Sequence, residues 1–351
     1  MKELHTFGWY AAKISPLLPE EAFKPVPSRL IGGAIYLIIV ITGILVISLF
    51  KLPAILSILI SFILGCSFAG MGFLGHEILH GTVVKKSWLR DLLGGVSLWP
   101  LCIGPALWRK WHNMNHHVHT QHHEKDPDAW ANMDALSKTT FFRGIYRLPY
   151  WFRTSVSIMI LTIQLTLVSI RAFILFIKDF NPKNRRKVWF QLLLPWVTWI
   201  ILLFITGPLK WFFAFLLPLA IGNFIVMSYT STNHGLNPLT SVNDPLANSL
   251  TVTVPKWVNV LHFNFPYHTE HHIFPTVNPK FYPLVQQHIK ELWADRYHEM
   301  PFGKALLAIF ITPRVYYQDK ELIDPRNGYV YGSLGNGLNP EKIQRRKVPI
   351  D

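Results

Sequence analysis

Apolar residues crowd into four stretches: 30–50 (LIGGAIYLIIVITGILVISLF), 53–75 (PAILSILISFILGCSFAGMGFLG), 189–206 (WFQLLLPWVTWIILLFIT) and 211–232 (WFFAFLLPLAIGNFIVMSYTST). About 20 residues of helix cross a bilayer, so each stretch predicts a membrane span. Lys51-Leu52-Pro53 and Gly207-Pro208-Leu209-Lys210 are short enough to be tight turns, which pairs the spans into two helical hairpins, 30–75 and 189–232. Two further apolar runs are interrupted. Residues 92–108 carry Pro100, Gly104 and Pro105 and read as a re-entrant or interfacial piece. Residues 155–177 contain Gln164 and Arg171 and read as an interfacial amphipathic helix. The tail 324–351 reads as extended or loosely attached.

Composition agrees with this pattern. Half of the 351 residues are hydrophobic and only 15% are charged, a balance that points to a membrane protein. Lys and Arg outnumber Asp and Glu by 34 to 20. The excess gathers near the span ends, at Lys24, Arg29, Lys85, Lys86, Arg185, Arg186 and Lys187, as a topological bias does. Both termini and both long inter-span segments are therefore expected on the cytoplasmic side, and nucleic acid is not the expected partner. No apolar h-region precedes residue 30, so a cleaved signal peptide is not expected. Cys66 and Cys102 lie in apolar segments and imply neither a disulfide scaffold nor a cysteine metal site. The expected layout is an N-terminal segment 1–29, a hairpin 30–75, a cap segment 76–188, a second hairpin 189–232, a second cap segment 233–323 and the tail 324–351.

The chemistry lies in the 16 histidines, most of which fall into tight groups on the predicted cytoplasmic side. His76 and His80 sit in GHEILHG where the second span ends. HNMNHHVHTQHH covers residues 112–123, HTEHH covers 268–272, and His234 follows the fourth span. At about 100° per residue, His76 and His80 share one helix face, and His268, His271 and His272 fall within about 100° of arc. His112 and His116 also share a face, whereas His117 points about 140° from His112. That offset suits two different metals or a helix that distorts there. The HEILH stretch also fits the H-E-x-x-H of zinc proteases, but such a site needs only three protein ligands and a water. Eight or nine clustered histidines are enough to surround two metals. A ferritin-like di-iron site would need a second Glu-x-x-His element, which is missing near the clusters.

HEILH, HNMNHH and HTEHH, with their contexts GHEILHG, WRKWHNMNHH…KDPD and NFPYHTEHHIFP, resemble the three histidine boxes of the membrane fatty acid desaturases. The resemblance covers roughly residues 30–290. It implies an all-α integral membrane protein of four transmembrane helices under a cytosolic helical cap that holds a histidine-ligated di-iron centre. It also implies O₂ as co-substrate, two electrons per turnover, and a cis double bond introduced into an acyl chain. Carried over, the metal ligands are His76, His80, His112, His116, His117, His268, His271 and His272, with His234 at the position of an additional ligand. His119-Thr120-Gln121-His122-His123 is itself an H-x-x-HH and stays an alternative second box.

Around these ligands, Glu77 is expected to hydrogen-bond the free ring nitrogen of a ligating histidine. Asp126 and Asp128 either do similar work or only form a turn around Pro127. Asn264 is a candidate to support a metal-bound water, and Trp99, Trp108, Trp111 and Trp130 are candidate walls of an acyl tunnel. The substrate implied is a fatty acyl lipid or acyl-CoA. No flavin or cytochrome b5-like module is visible, so electrons are expected from a separate ferredoxin or cytochrome b5. The membrane would be the plasma membrane of a bacterium or the endoplasmic reticulum of a eukaryote. The competing readings are a hydroxylase, ketolase or monooxygenase on the same scaffold, and an intramembrane zinc protease.

Overall fold

A computed structural model of the chain describes residues 3–138, 140–313 and 315–349. The protein is mostly helical, and four helices are long and apolar enough to cross a membrane: Arg29–Leu49, Ala54–His80, Pro182–Thr206 and Pro208–Gly235. The second of these is the hub and packs against the first and the fourth. It approaches the fourth closely because both surfaces are small there. A Cβ on Gly65 would lie 2.5 Å from Ile221, and one on Gly222 would lie 3.2 Å from Phe68. Ser61 bridges the same pair, its hydroxyl donating to the Phe213 carbonyl at 2.6 Å. At the far end, the Lys210 ammonium donates to the Ser48 carbonyl (2.6 Å), which brings the two predicted turns together.

The second helix runs on through the histidine box. Expected to end at residue 75, it continues to His80, where Gly81 adopts φ +83° and its N–H returns to the Ile78 carbonyl at 3.0 Å. This glycine C-cap stops the helix one residue past the second histidine. His76 and His80 thus inherit the rigidity of a 27-residue rod.

The 155–177 run departs from the single interfacial helix. It forms two helices, Trp151–Leu161 and Gln164–Asp179, bent by 70°. Thr162 and Ile163 break the run, and Asn223 of the fourth span caps the second piece from outside, its Oδ1 accepting from the Thr166 N–H at 3.1 Å.

The fold also carries two small sheets that the all-helical expectation did not contain. Thr251–Thr253 pairs in parallel with Glu299–Pro301. Tyr316–Tyr317, Glu321–Asp324, Tyr329–Gly332 and Arg346–Lys347 form a four-stranded antiparallel sheet. The tail is therefore folded down rather than loose, except for residues 350–351, which lie outside the described residues. Its buried Leu322, Ile323 and Val330 supply the apolar face, and Tyr316 reaches inward to donate to the Asn237 carbonyl at 2.7 Å.

Candidate metal centre

Four segments deliver histidines to one place. The second span brings His76 and His80, and the fourth span brings His234 in its last turn. The His268–Ile273 helix brings His268, His271 and His272. The remaining segment, Arg109–His116, is a π-helix, with the His117 N–H bonded to the His112 carbonyl five residues back. Widening the turn in this way removes the 140° offset of a straight α-helix, so His112 and His117 face each other with their Nε2 atoms 3.1 Å apart. The helix distorts where the second box needs it to.

The nine imidazoles form two groups, within each of which the ligand atoms lie within 4.8 Å of one another. His76, His80, His112, His117 and His271 make one group, and His116, His234, His268 and His272 make the other. The groups are adjacent, since consecutive residues His116 and His117 belong one to each and the His117 and His272 rings stack at 4.4 Å. The spacing fits metal ligation. His76–His112, His112–His117 and His117–His271 are each 3.1 Å apart through Nε2, and His234–His268 and His268–His272 are 2.8 and 3.0 Å apart. Ligand bonds of about 2.1 Å to imidazole nitrogen would place neighbouring donors of a six-coordinate ion about 3.0 Å apart.

The outer ring nitrogens say the same. His234 Nδ1 lies 3.0 Å from the Asn248 carbonyl, which can only accept, so the proton sits on Nδ1 and Nε2 turns a lone pair toward His268. His116 Nδ1 faces the Asp126 carboxylate at 3.0 Å, His271 Nδ1 the Tyr282 hydroxyl at 3.0 Å, and His272 Nδ1 the Thr120 hydroxyl at 3.3 Å. Where both Nε2 atoms carry lone pairs, a separation near 3 Å suits a cation between them. Burial, and then the neighbouring imidazoles, hold His112, His117, His268, His271 and His272 well below the usual histidine range, in the neutral form that binds metal. His116 differs. Burial opposes its charge too, but the Asp126 carboxylate and then Asp128 outweigh burial and raise it.

The surrounding acids divide. Asp126 is buried and also accepts from the backbone N–H groups of Gln121 and Asp128, at 2.7 and 2.9 Å. Asp128 accepts from the Trp111 indole at 2.9 Å and stands 3.6 Å from His116 Nδ1; burial pushes it up to about 6. Glu77 does not make the expected hydrogen bond. Its carboxylate is 3.6 Å from His76 Nδ1, and it accepts instead from the Thr82 hydroxyl at 2.8 Å. Asn264, in a left-handed turn at φ +62°, spends its amide on the Pro279 carbonyl at 2.8 Å. Tyr282, Thr120 and Asn248 contact the histidines without any sequence signal, whereas Asp126 stood in the KDPD that follows the second box. His119, His122 and His123 lie outside both groups, and the His122 and His123 rings stack on each other.

The family model for fatty acid desaturase matches residues 53–304, a span that contains all four histidine-bearing segments. The chain belongs to the fatty acid desaturase family. Among its relatives is an sn-1 oleoyl-lipid 12-desaturase of Synechocystis sp., 24% identical over 77% of each chain. The corresponding enzyme of Picosynechococcus sp. is 25% identical over 74% of this chain and 76% of its own. A chloroplastic omega-6 fatty acid desaturase of Glycine max is 23% identical over 74% of this chain and 62% of its own.

A desaturase must also hold an acyl chain, and a cavity of about 180 Å³ adjoins the histidines. His76, His112, His116, His234 and His268 form part of its wall, and Leu98, Leu101, Ile103, Leu165, Val168 and Met227 form much of the rest. Trp108, Trp111 and Trp130 line it as well. Trp99 does not. It faces a separate apolar groove and donates its indole N–H to Thr198 at 3.1 Å.

Proposed function

We propose that the protein is an acyl-lipid desaturase that introduces a cis double bond into an esterified acyl chain through two histidine-held iron ions. The observation that carries this reading is the opening of both imidazole groups onto one largely apolar cavity. An alkyl C–H bond is too weakly acidic for any side-chain base. Two iron ions, when bound, supply the oxidising chemistry that removes hydrogen from such a bond. Overall, two hydrogens leave adjacent carbons; O₂ takes these with two electrons and two protons to give two waters. The ligands would be His76, His80, His112, His117 and His271 for one ion and His116, His234, His268 and His272 for the other.

The remaining residues bind and orient. Leu98, Leu101, Met227 and Val168 exclude water from the chain, and Trp108 and Trp111 fix its position beside the imidazoles. Asp126, the Asn248 carbonyl, Thr120 and Tyr282 hold ring orientations through the outer nitrogens. The ester-linked substrate follows the relatives named for oleoyl-lipid. The electrons would come from a separate ferredoxin or cytochrome b5, drawn to the basic cytoplasmic face. The cap and both termini would lie on that face.

The test is expression, with a ferredoxin and its reductase, in a host whose lipids contain oleoyl but no diunsaturated chains. A new double bond located by mass spectrometry, and lost in His271→Ala, is the expected result. Unchanged lipids would remove the reading.

A further inference from the structure

The Gln164–Phe176 helix separates two environments. Ile163, Leu167, Ile170 and Ile174 are exposed along one side, while Gln164, Leu165, Val168 and Arg171 line the cavity on the other. The wall between the cavity and the apolar outer surface is thus a single helix thick. Arg171 is the only charged residue in that helix. A lone guanidinium in an otherwise apolar helix is a candidate for binding an anionic group.

No described neighbour forms a contact ion pair with Arg171, although the Asp128 carboxylate acts on it through space. Arg109 and Lys187 are both paired with Asp91, and Lys110 is paired with Asp179 at 3.0 Å. Asp128, on the same cavity wall, already holds the Trp111 indole. Among the described residues no carboxylate lies within 4 Å of the Arg171 guanidinium. The cavity therefore has an apolar interior, an exposed arginine at its edge and a thin wall toward lipid.

We propose that Arg171 anchors the phosphodiester headgroup of a glycerophospholipid whose acyl chain enters the cavity beside the Gln164–Phe176 helix. This deepens the acyl-lipid reading given above and rests on it for the fate of the chain. The planar guanidinium offers paired N–H donors that match two phosphate oxygens. One unpaired cation suits one monoanionic phosphodiester. The several phosphates of a CoA thioester would need more, and Asp91 and Asp179 balance all but one of the charges of Arg109, Lys110 and Lys187.

The test is lipid binding to the purified full-length protein in detergent, read by native mass spectrometry, with dioleoyl phosphatidylglycerol against dioleoylglycerol. The wild type should favour the phosphodiester lipid. Arg171→Gln should weaken that lipid by roughly tenfold or more and leave dioleoylglycerol unchanged, with Arg171→Lys in between. Free glycerol phosphate at the same concentration should not compete, because it brings no chain to the cavity. Equal binding of phosphatidylglycerol by the wild type and Arg171→Gln would overturn the proposal, as would full competition by glycerol phosphate. Desaturation is measured on the same preparations loaded with iron and supplied with O₂, a ferredoxin, its reductase and NADPH. Arg171-dependent binding without a new double bond would leave the headgroup site standing and remove the desaturase reading alone.

Discussion

The two imidazole groups lie side by side but are held by different means. In the four-histidine group, His116, His234 and His272 each have their outer nitrogen tied to a polar partner: to Asp126, to the Asn248 carbonyl and to Thr120. In the five-histidine group, His271 alone has a hydrogen-bonded Nδ1 among the described residues, through Tyr282. His76, His80 and His112 pack instead against the Trp108 ring, at centroid distances of 5.4, 5.4 and 4.4 Å. One group is oriented by polar anchors, the other by helix geometry and aromatic packing. The contrast predicts which perturbations reach both groups and which reach only one.

The π-helix is the point the groups share, because His112 and His117 serve one and His116 the other. Inserting one alanine after the exposed Met114 would add a residue the π-turn cannot absorb and rotate everything after it by about 100°. Metal content by mass spectrometry should fall to near zero while helical circular dichroism persists. Retention of metal in one group would show that the π-turn is not what aligns them. A narrower cut is His268→Ala, which removes a ligand from the four-histidine group only. On the proposed two-iron site, iron should drop from about two ions to about one per chain and desaturation should vanish.

The polar anchors come next in size. Asp126→Asn should weaken metal binding roughly 10- to 100-fold, as loss of an outer-nitrogen partner does. Glu77→Gln should cost less than about threefold, because at 3.6 Å its carboxylate makes no hydrogen bond to His76. Competition with a chelator measures both. Equal losses would erase the distinction between the groups.

Some of this was legible in the sequence and some was not. The spans follow from long apolar runs, and the candidate ligands stand out because clustered histidines have few other uses. The π-helix left only a trace, the 140° misfit of His117, because i→i+5 bonding has no residue signature. Asn223 capping Thr166 was hidden, since a cap supplied from another helix is a tertiary fact. The tail sheet was readable but missed. Asn327-Gly328 is a hairpin signal, and Gly328 does turn at φ +72° between strands 321–324 and 329–332.

Glu270 tests the helix that feeds both groups. Its carboxyl turns away from the histidines and accepts from the Thr251 and Tyr297 hydroxyls, each at 2.6 Å. Burial pushes it up to about 7 from the usual 4.5. The folded protein therefore holds this proton more tightly than the unfolded chain does. Glu270's own contribution to stability is therefore full at or below pH 4.5 and is lost, about 3 kcal/mol in all, as pH rises through about 7. Glu270→Gln should remove this fall in thermal melts. An unchanged pH slope would place the titration elsewhere.

The smallest expected effect decides between the two overlapping second boxes. His119-Thr120-Gln121-His122-His123 has the right spacing, but the chain leaves the helix at Thr120, and Gln121 turns left-handed at φ +59°. Gln121 is then clamped from the far side, its amide donating to the His234 carbonyl at 2.9 Å and to the Tyr316 hydroxyl at 3.0 Å. That clamp sends His122 and His123 outward, to line a surface pocket with Arg296 and Lys320. Replacing His122 and His123 together by Ala should leave iron content and double-bond formation within about a factor of two of wild type, as surface changes usually do. Loss of either ion in that double variant would mean that the second box begins at His119, and the grouping around His112, His116 and His117 would have to be redrawn.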